Sequence, residues 1–113
     1  MTPEFYNKFV SDSIKNIDKF EIILDKSSLE KLKIYLESKH NSFNGFKITK
    51  IDFVEKKHLS MLGIFRIFVE VYTNSFRVDE VTYLDFNIWC DFVSVLDMKL
   101  IIKIIGNIGD KND

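Results

Sequence analysis

Residues 78–92 run VDEVTYLDFNIWCDF. Thr82, Leu84, Phe86, Ile88, Cys90 and Phe92 fall on one parity, while Asp79, Asp85, Asn87 and Asp91 fall on the other. Only an extended backbone sends alternate side chains to opposite faces; a helix would scatter the same carboxylates around its circumference. The stretch is therefore predicted to be a strand with its apolar side turned to a core. Its neighbours repeat the pattern. In 62–73, Phe65, Ile67, Val69 and Val71 line one face and Arg66 and Glu70 mark the other. In 95–105, Leu96, Met98, Leu100, Ile102 and Ile104 share a side opposite Asp97, Lys99 and Lys103. In 46–56 the parity changes, from Phe46 and Ile48 to Ile51 and Phe53, which places a bulge near Thr49-Lys50.

Before Phe46 the period is nearer 3.6. Thr2, Pro3 and Glu4 form a helix-start signature, and Phe5, Phe9, Ile14 and Ile17 recur at helical spacing, so a helix is predicted over 3–17. Residues 20–24 fit a short strand or a continued helix, and the β-branched pair Ile22-Ile23 favours the strand. A second helix is expected from a Ser27/Glu30 capping box to Lys39 or His40, with Leu29, Leu32 and Leu36 on one face. Asn41 to Gly45 has the composition of a tight connection.

These elements predict an α+β fold with two N-terminal helices packed on a four- or five-stranded antiparallel meander sheet. A single domain is expected over 1–105, with 106–113 as a flexible C-terminal tail. The order of elements resembles the cystatin-like and NTF2-like layouts, in which a curved meander wraps a helix. That resemblance implies architecture alone, because no motif accompanies it and such folds host unrelated functions.

The chain has 113 residues, enough for one domain, and its eleven Phe, four Tyr and one Trp supply large buried area at small entropic cost. Sixteen basic against seventeen acidic residues leave a net charge of −1, so no global positive field draws in nucleic acid. One cysteine, Cys90, excludes an intrachain disulfide and any paired-cysteine metal site. The N-terminus lacks the basic and apolar regions of a signal peptide, and the apolar runs are too short for a bilayer. A cytoplasmic protein without membrane attachment is expected.

Catalytic patterns are scarce. His40 falls at a helix end, where it suits capping of carbonyls, and His58 in a basic turn after Lys56-Lys57. Cys90 alternates with core residues, so its thiol is expected inside and inert. Glu55-Lys56-Lys57 superficially resembles half of a metal-dependent nuclease site, but Asp52 lies on the same strand, and a solvated strand end accounts for it. No glycine pattern suits a phosphate loop. Tyr83 and Asp85 are the pair an NTF2-like enzyme would use, yet their parity turns them outward. No cofactor or metal is expected.

What remains is the mixed face itself. Asp79, Val81, Tyr83, Asp85, Asn87, Trp89 and Asp91 lie beside Ile64, Arg66, Phe68, Glu70 and Tyr72. Cross-strand aromatic pairing explains part of this composition as sheet stabilisation. As a surface, Tyr and Trp anchor interfaces and carboxylates steer a basic partner. The reading is a non-enzymatic protein-binding module, of the inhibitor or immunity type, that neutralises a basic protein such as a toxic nuclease. Its partner-binding residues would be Glu70, Tyr72, Asp79, Tyr83, Asp85, Asn87, Trp89 and Asp91. An NTF2-like pocket for a small apolar ligand and a homodimeric structural subunit are the alternatives.

Overall fold

In the computed structural model, which describes residues 17–56 and 63–108, the alternating segments form one sheet. A turn of 3-10 helix at Ile17–Lys19 is followed by β1 (Glu21–Leu24), α1 (Lys26–Lys39), β2 (Phe43–Lys56), β3 (Gly63–Ser75), β4 (Val78–Leu96) and β5 (Lys99–Ile104). The order across the sheet is β1-β5-β4-β3-β2. From β2 to β5 each strand pairs antiparallel with the next, as short connections require.

One expectation is corrected. The short strand at 20–24 forms as β1, but it pairs parallel with β5, with Glu21 facing Lys99 and Leu24 facing Ile102, so the sheet is mixed rather than wholly antiparallel. The reason is the crossing: α1 carries the chain from one sheet edge to the other, and the meander returns to place β5 beside β1. Among the described residues there is one α-helix where two were expected. The helix predicted over 3–17 lies outside them except for Ile17, which opens the 3-10 turn.

α1 starts earlier than the capping box implied. Asp25 is extended, with φ −71° and ψ 171°, and its carboxylate accepts the Ser28 N–H at 2.9 Å. Asp25 therefore caps the third helical residue, and the Ser27 hydroxyl donates to that carboxylate at 3.2 Å. Burial pushes the Asp25 carboxyl up, but hydrogen bonds from Ser28 and Ser27 and the nearby Lys103 outweigh it and hold it below its usual value. At the other end His40 donates Nδ1–H to the Leu36 carbonyl at 3.0 Å. Leu32 and Leu36 are fully buried, whereas Leu29 stays partly exposed at the margin.

The core lies between α1 and one face of the sheet. Phe65, Ile67, Val71, Cys90, Leu100 and Ile102 join Leu32 and Leu36 with no exposed surface. Each such apolar side chain stabilises the fold by roughly 1.5–3 kcal/mol relative to exposure. Ring contacts extend the cluster: Phe53 meets Phe65 edge-on at 5.3 Å, and Tyr35 lies 6.1 Å from Phe86. The bulge expected near Thr49-Lys50 is present as a register shift between Ile48 and Lys50. The segment expected as a tail from residue 106 is held at its start, where Lys31 Nζ donates to the Gly106 carbonyl at 2.9 Å and Ile108 is buried.

The last hairpin turns later than the parity suggested. β4 continues to Leu96, and Asp97 and Met98 make the turn with φ of 52° and 61°. A register shift between Phe92 and Ser94 reverses the faces, so Val95 pairs with the buried Leu100 while Leu96 and Met98 are exposed. One extra residue at Val93 thus moves two predicted core residues outside.

Candidate docking face

The sheet face opposite α1 carries all eight residues singled out in the sequence. Antiparallel pairing sets Tyr72 beside Val81, Glu70 beside Tyr83, Phe68 beside Asp85, Arg66 beside Asn87 and Ile64 beside Trp89. Asp79 lies opposite Asn74, and Asp91 opposite Lys103. β2 extends the same rows with Lys47 against Glu70, Lys50 against Phe68 and Asp52 against Arg66. Tyr83 is 74 % exposed and Trp89 41 %, so the rings stand outward as their parity requires. Asp79, Asp85 and Asn87 are exposed; Glu70, Tyr72 and Asp91 are half-buried.

Neighbours hold these polar groups in place. Arg66 Nη2 donates to Asp85 Oδ2 at 2.7 Å, and the guanidinium also lies 5.0 Å from the centre of the Phe68 ring. Lys50 covers the same ring at 5.7 Å. The Tyr72 hydroxyl donates to Glu70 Oε1 at 2.7 Å, and this bond to a carboxylate, with some burial, raises the phenol above its ordinary value. Asn74 Nδ2 donates to Asp79 Oδ1 at 2.6 Å. Asp91 Oδ1 accepts the Phe92 N–H at 2.8 Å.

Charge on the face is mixed on β2 and β3 and acidic on β4. Lys47, Lys50 and Arg66 lie among Asp52 and Glu70 on the β2 and β3 side, whereas the charged residues of β4 on this face are Asp79, Asp85 and Asp91. The acidic-aromatic character expected for the whole face is thus a stripe along β4. Pairs such as Arg66–Asp85, each about half exposed, add little stability, but they hold the carboxylates in set positions.

The potentially reactive groups lie elsewhere. Cys90 is fully buried on the core side, and burial, with Asp25 and Asp91 nearby, pushes its thiol up to about 12. His58 and Lys57 lie outside the described residues. Among the described residues no group of His, Cys, Asp and Glu converges as a metal site, and no helix is long and apolar enough to cross a membrane.

Two features escaped sequence reading. The β3–β4 turn is made by Phe76 and Arg77, both left-handed, and Phe76 is 97 % exposed. No Asn-Gly pair announces that turn. The second is a groove of about 990 Å³ between β1, the start of α1 and β2, lined by Phe20, Ile22, Leu29, Ile48, Ile51 and Phe53. It depends on the two sheet edges approaching one another, which alternation cannot reveal. Comparison with protein-family models, curated proteins and solved structures finds no match for this chain.

Proposed function

We propose that this chain is a non-enzymatic protein-binding module that docks a basic partner along the outer face of β4, acting in the cytoplasm as an inhibitor or immunity-type protein. The observation that carries the reading is the exposed Tyr83, set between Asp79 and Asp85 on a sheet face whose other side holds the core. Aromatic anchors flanked by positioned carboxylates recognise lysine- and arginine-rich surfaces. Asp85 and Glu70 each use one oxygen on a neighbour, which leaves acceptor capacity for a partner's cations. A basic nuclease is a fitting target, because the same stripe would fill its nucleic-acid groove.

A pull-down from the native lysate tests the reading, comparing the wild-type chain with a Tyr83→Ala/Trp89→Ala double variant. A basic protein held by the wild type should bind the double variant about 30-fold or more weakly, as expected for interface anchors. Equal recovery by both would remove this face as the docking surface. A second reading is favoured by the groove between β1 and β2, which suits an NTF2-like pocket for a small apolar ligand. Titration with an environment-sensitive apolar fluorophore, repeated on Ile51→Lys, reads that alternative directly.

A further inference from the structure

Among the described residues, β4 is flanked on both sides for only part of its length. β3 accompanies it from Val78 to Cys90, but β5 pairs only with the stretch from Cys90 to Leu96. The outermost contact on that side is the Ile105 N–H donating to the Trp89 carbonyl at 2.9 Å. Among the described residues, 78–88 therefore form an open edge. Backbone groups alternate in direction along a strand, so this bond also fixes their sense. Trp89 aims its groups at the β5 side; Asn87, Asp85, Tyr83, Val81 and Asp79 do the same, while the even-numbered residues bond to β3. A row of this length is a template for another strand.

The same edge carries an unusual density of exposed apolar side chains. Phe76 is 97 % exposed, Val78 53 %, Val81 44 % and Tyr83 74 %. Phe76 and Arg77 also hold φ of 52° and 70°, a conformation that Asn and Gly enter more easily in a hairpin turn.

We infer that a second copy of this chain pairs here, β4 against β4, antiparallel about a two-fold axis at Val81. The side chains select the register. Axes at Asp79, Glu80 or Asp85 set a carboxylate against its own copy, and an axis at Thr82 sets Asp79 against Asp85. An axis at Tyr83 places Val81 against Asp85 and Glu80 against Phe86; one at Leu84 places Glu80 against Ile88. The Val81 axis avoids these mismatches and sets apolar against apolar and polar against polar: Val81 meets Val81, Val78 meets Leu84, Asp79 meets the Tyr83 hydroxyl and Glu80 meets Thr82. It also brings Arg77 beside Asp85 of the second copy, an opposite-charge contact made twice by symmetry. The two sheets become one, and their β4 stripes lie side by side. The competing role for Asp79, Glu80 and Asp85 is to keep the edge unpaired.

Sedimentation velocity from micromolar to millimolar concentration should show a monomer–dimer equilibrium. Val81→Pro removes an N–H that faces the open side and takes nothing from the β3 ladder, so far-UV circular dichroism and melting should be retained. Two intermolecular hydrogen bonds are lost by symmetry, which should weaken the dimer roughly tenfold or more. Cross-linking tests the register without relying on that variant. A thiol linker spanning about 8 Å should join Val81→Cys dimers but not Tyr83→Cys dimers, whose thiols are about 14 Å apart along the strands at 3.4 Å per residue. The native Cys90 is buried and does not compete. A monomer throughout, a dimer unmoved by Val81→Pro, or linkage at Tyr83→Cys instead of Val81→Cys each overturns the inference. So does a monomer with the Val81 and Tyr83 amides protected from exchange, which would mean that the chain covers its own edge.

Discussion

Ser28 ties the helix to the sheet through one atom. It is 1 % exposed, and its Oγ accepts the Ile104 N–H at 2.7 Å. A strand-end amide next to a packed helix has no access to water, so its acceptor must come from the protein. Ser28→Ala should leave that donor unsatisfied and lower stability by about 1–3 kcal/mol, read from the urea midpoint at unchanged m-value. Ser28→Thr, which keeps the acceptor, should recover part of the loss. Cys90 makes a pH prediction. Burial pushes the thiol from its ordinary value of 9.0 up to about 12. The unfolded chain therefore releases this proton first, and the thiol's contribution to stability falls as pH rises from about 9 to 12. Native protein should resist alkylation at pH 8, and unfolding in guanidinium should expose the thiol at once. A rapid native reaction would contradict the burial argument. The inward thiol was legible from its parity between Ile88 and Phe92. The role of Ser28 was not, because a serine within a helical pattern gives no sign of an acceptor needed by a strand far along the chain.

At the scale of elements, alternation was readable wherever the register ran unbroken. β3 and the part of β4 paired with it have their predicted core and outer faces, so Glu70, Tyr72, Asp79, Tyr83, Asp85, Asn87 and Trp89 share one sheet face as their parity implied. Reading failed where one residue was inserted or a turn lacked its usual chemistry. The shift between Phe92 and Ser94 exchanged the faces of β4, and Asp97-Met98 turns without Gly or Asn. β1 was ambiguous because four residues fit either period, and its parallel pairing with β5 depends on where α1 crosses. The Arg66–Asp85 and Lys50–Phe68 contacts needed the cross-strand register, which composition does not contain. The left-handed turn leads to a direct prediction. Asp97→Asn/Met98→Gly replaces two strained residues with the pair preferred at such positions. Relief of about 1 kcal/mol per left-handed side chain, offset partly by glycine's larger unfolded-state entropy, should raise the melting temperature by several degrees. An unchanged or lower melting temperature would mean that the exposed Leu96 and Met98 make contacts that the turn preserves.

For the whole molecule, protection follows position in the sheet. β3 has a strand on each side for most of its length, and its inward residues Phe65, Ile67, Val69 and Val71 are at most 2 % exposed. Opening it would break two ladders and the core together, so its amides should exchange only on global unfolding. The first half of β4 differs, because one ladder protects only every second amide. In dilute monomer, Thr82, Leu84 and Phe86 should exchange slowly while Val81, Tyr83 and Asp85 exchange with little protection, a two-residue period visible by NMR. Docking on the outer face covers side chains without bonding the edge amides, so a face-bound partner should leave that period intact. Pairing of a second strand would instead slow the odd-numbered amides and erase it. The same exchange map therefore separates occupancy of the face from occupancy of the edge: alternation that survives partner binding places the partner on Tyr83 and Trp89, and alternation lost on concentration alone places a second chain beside Val81.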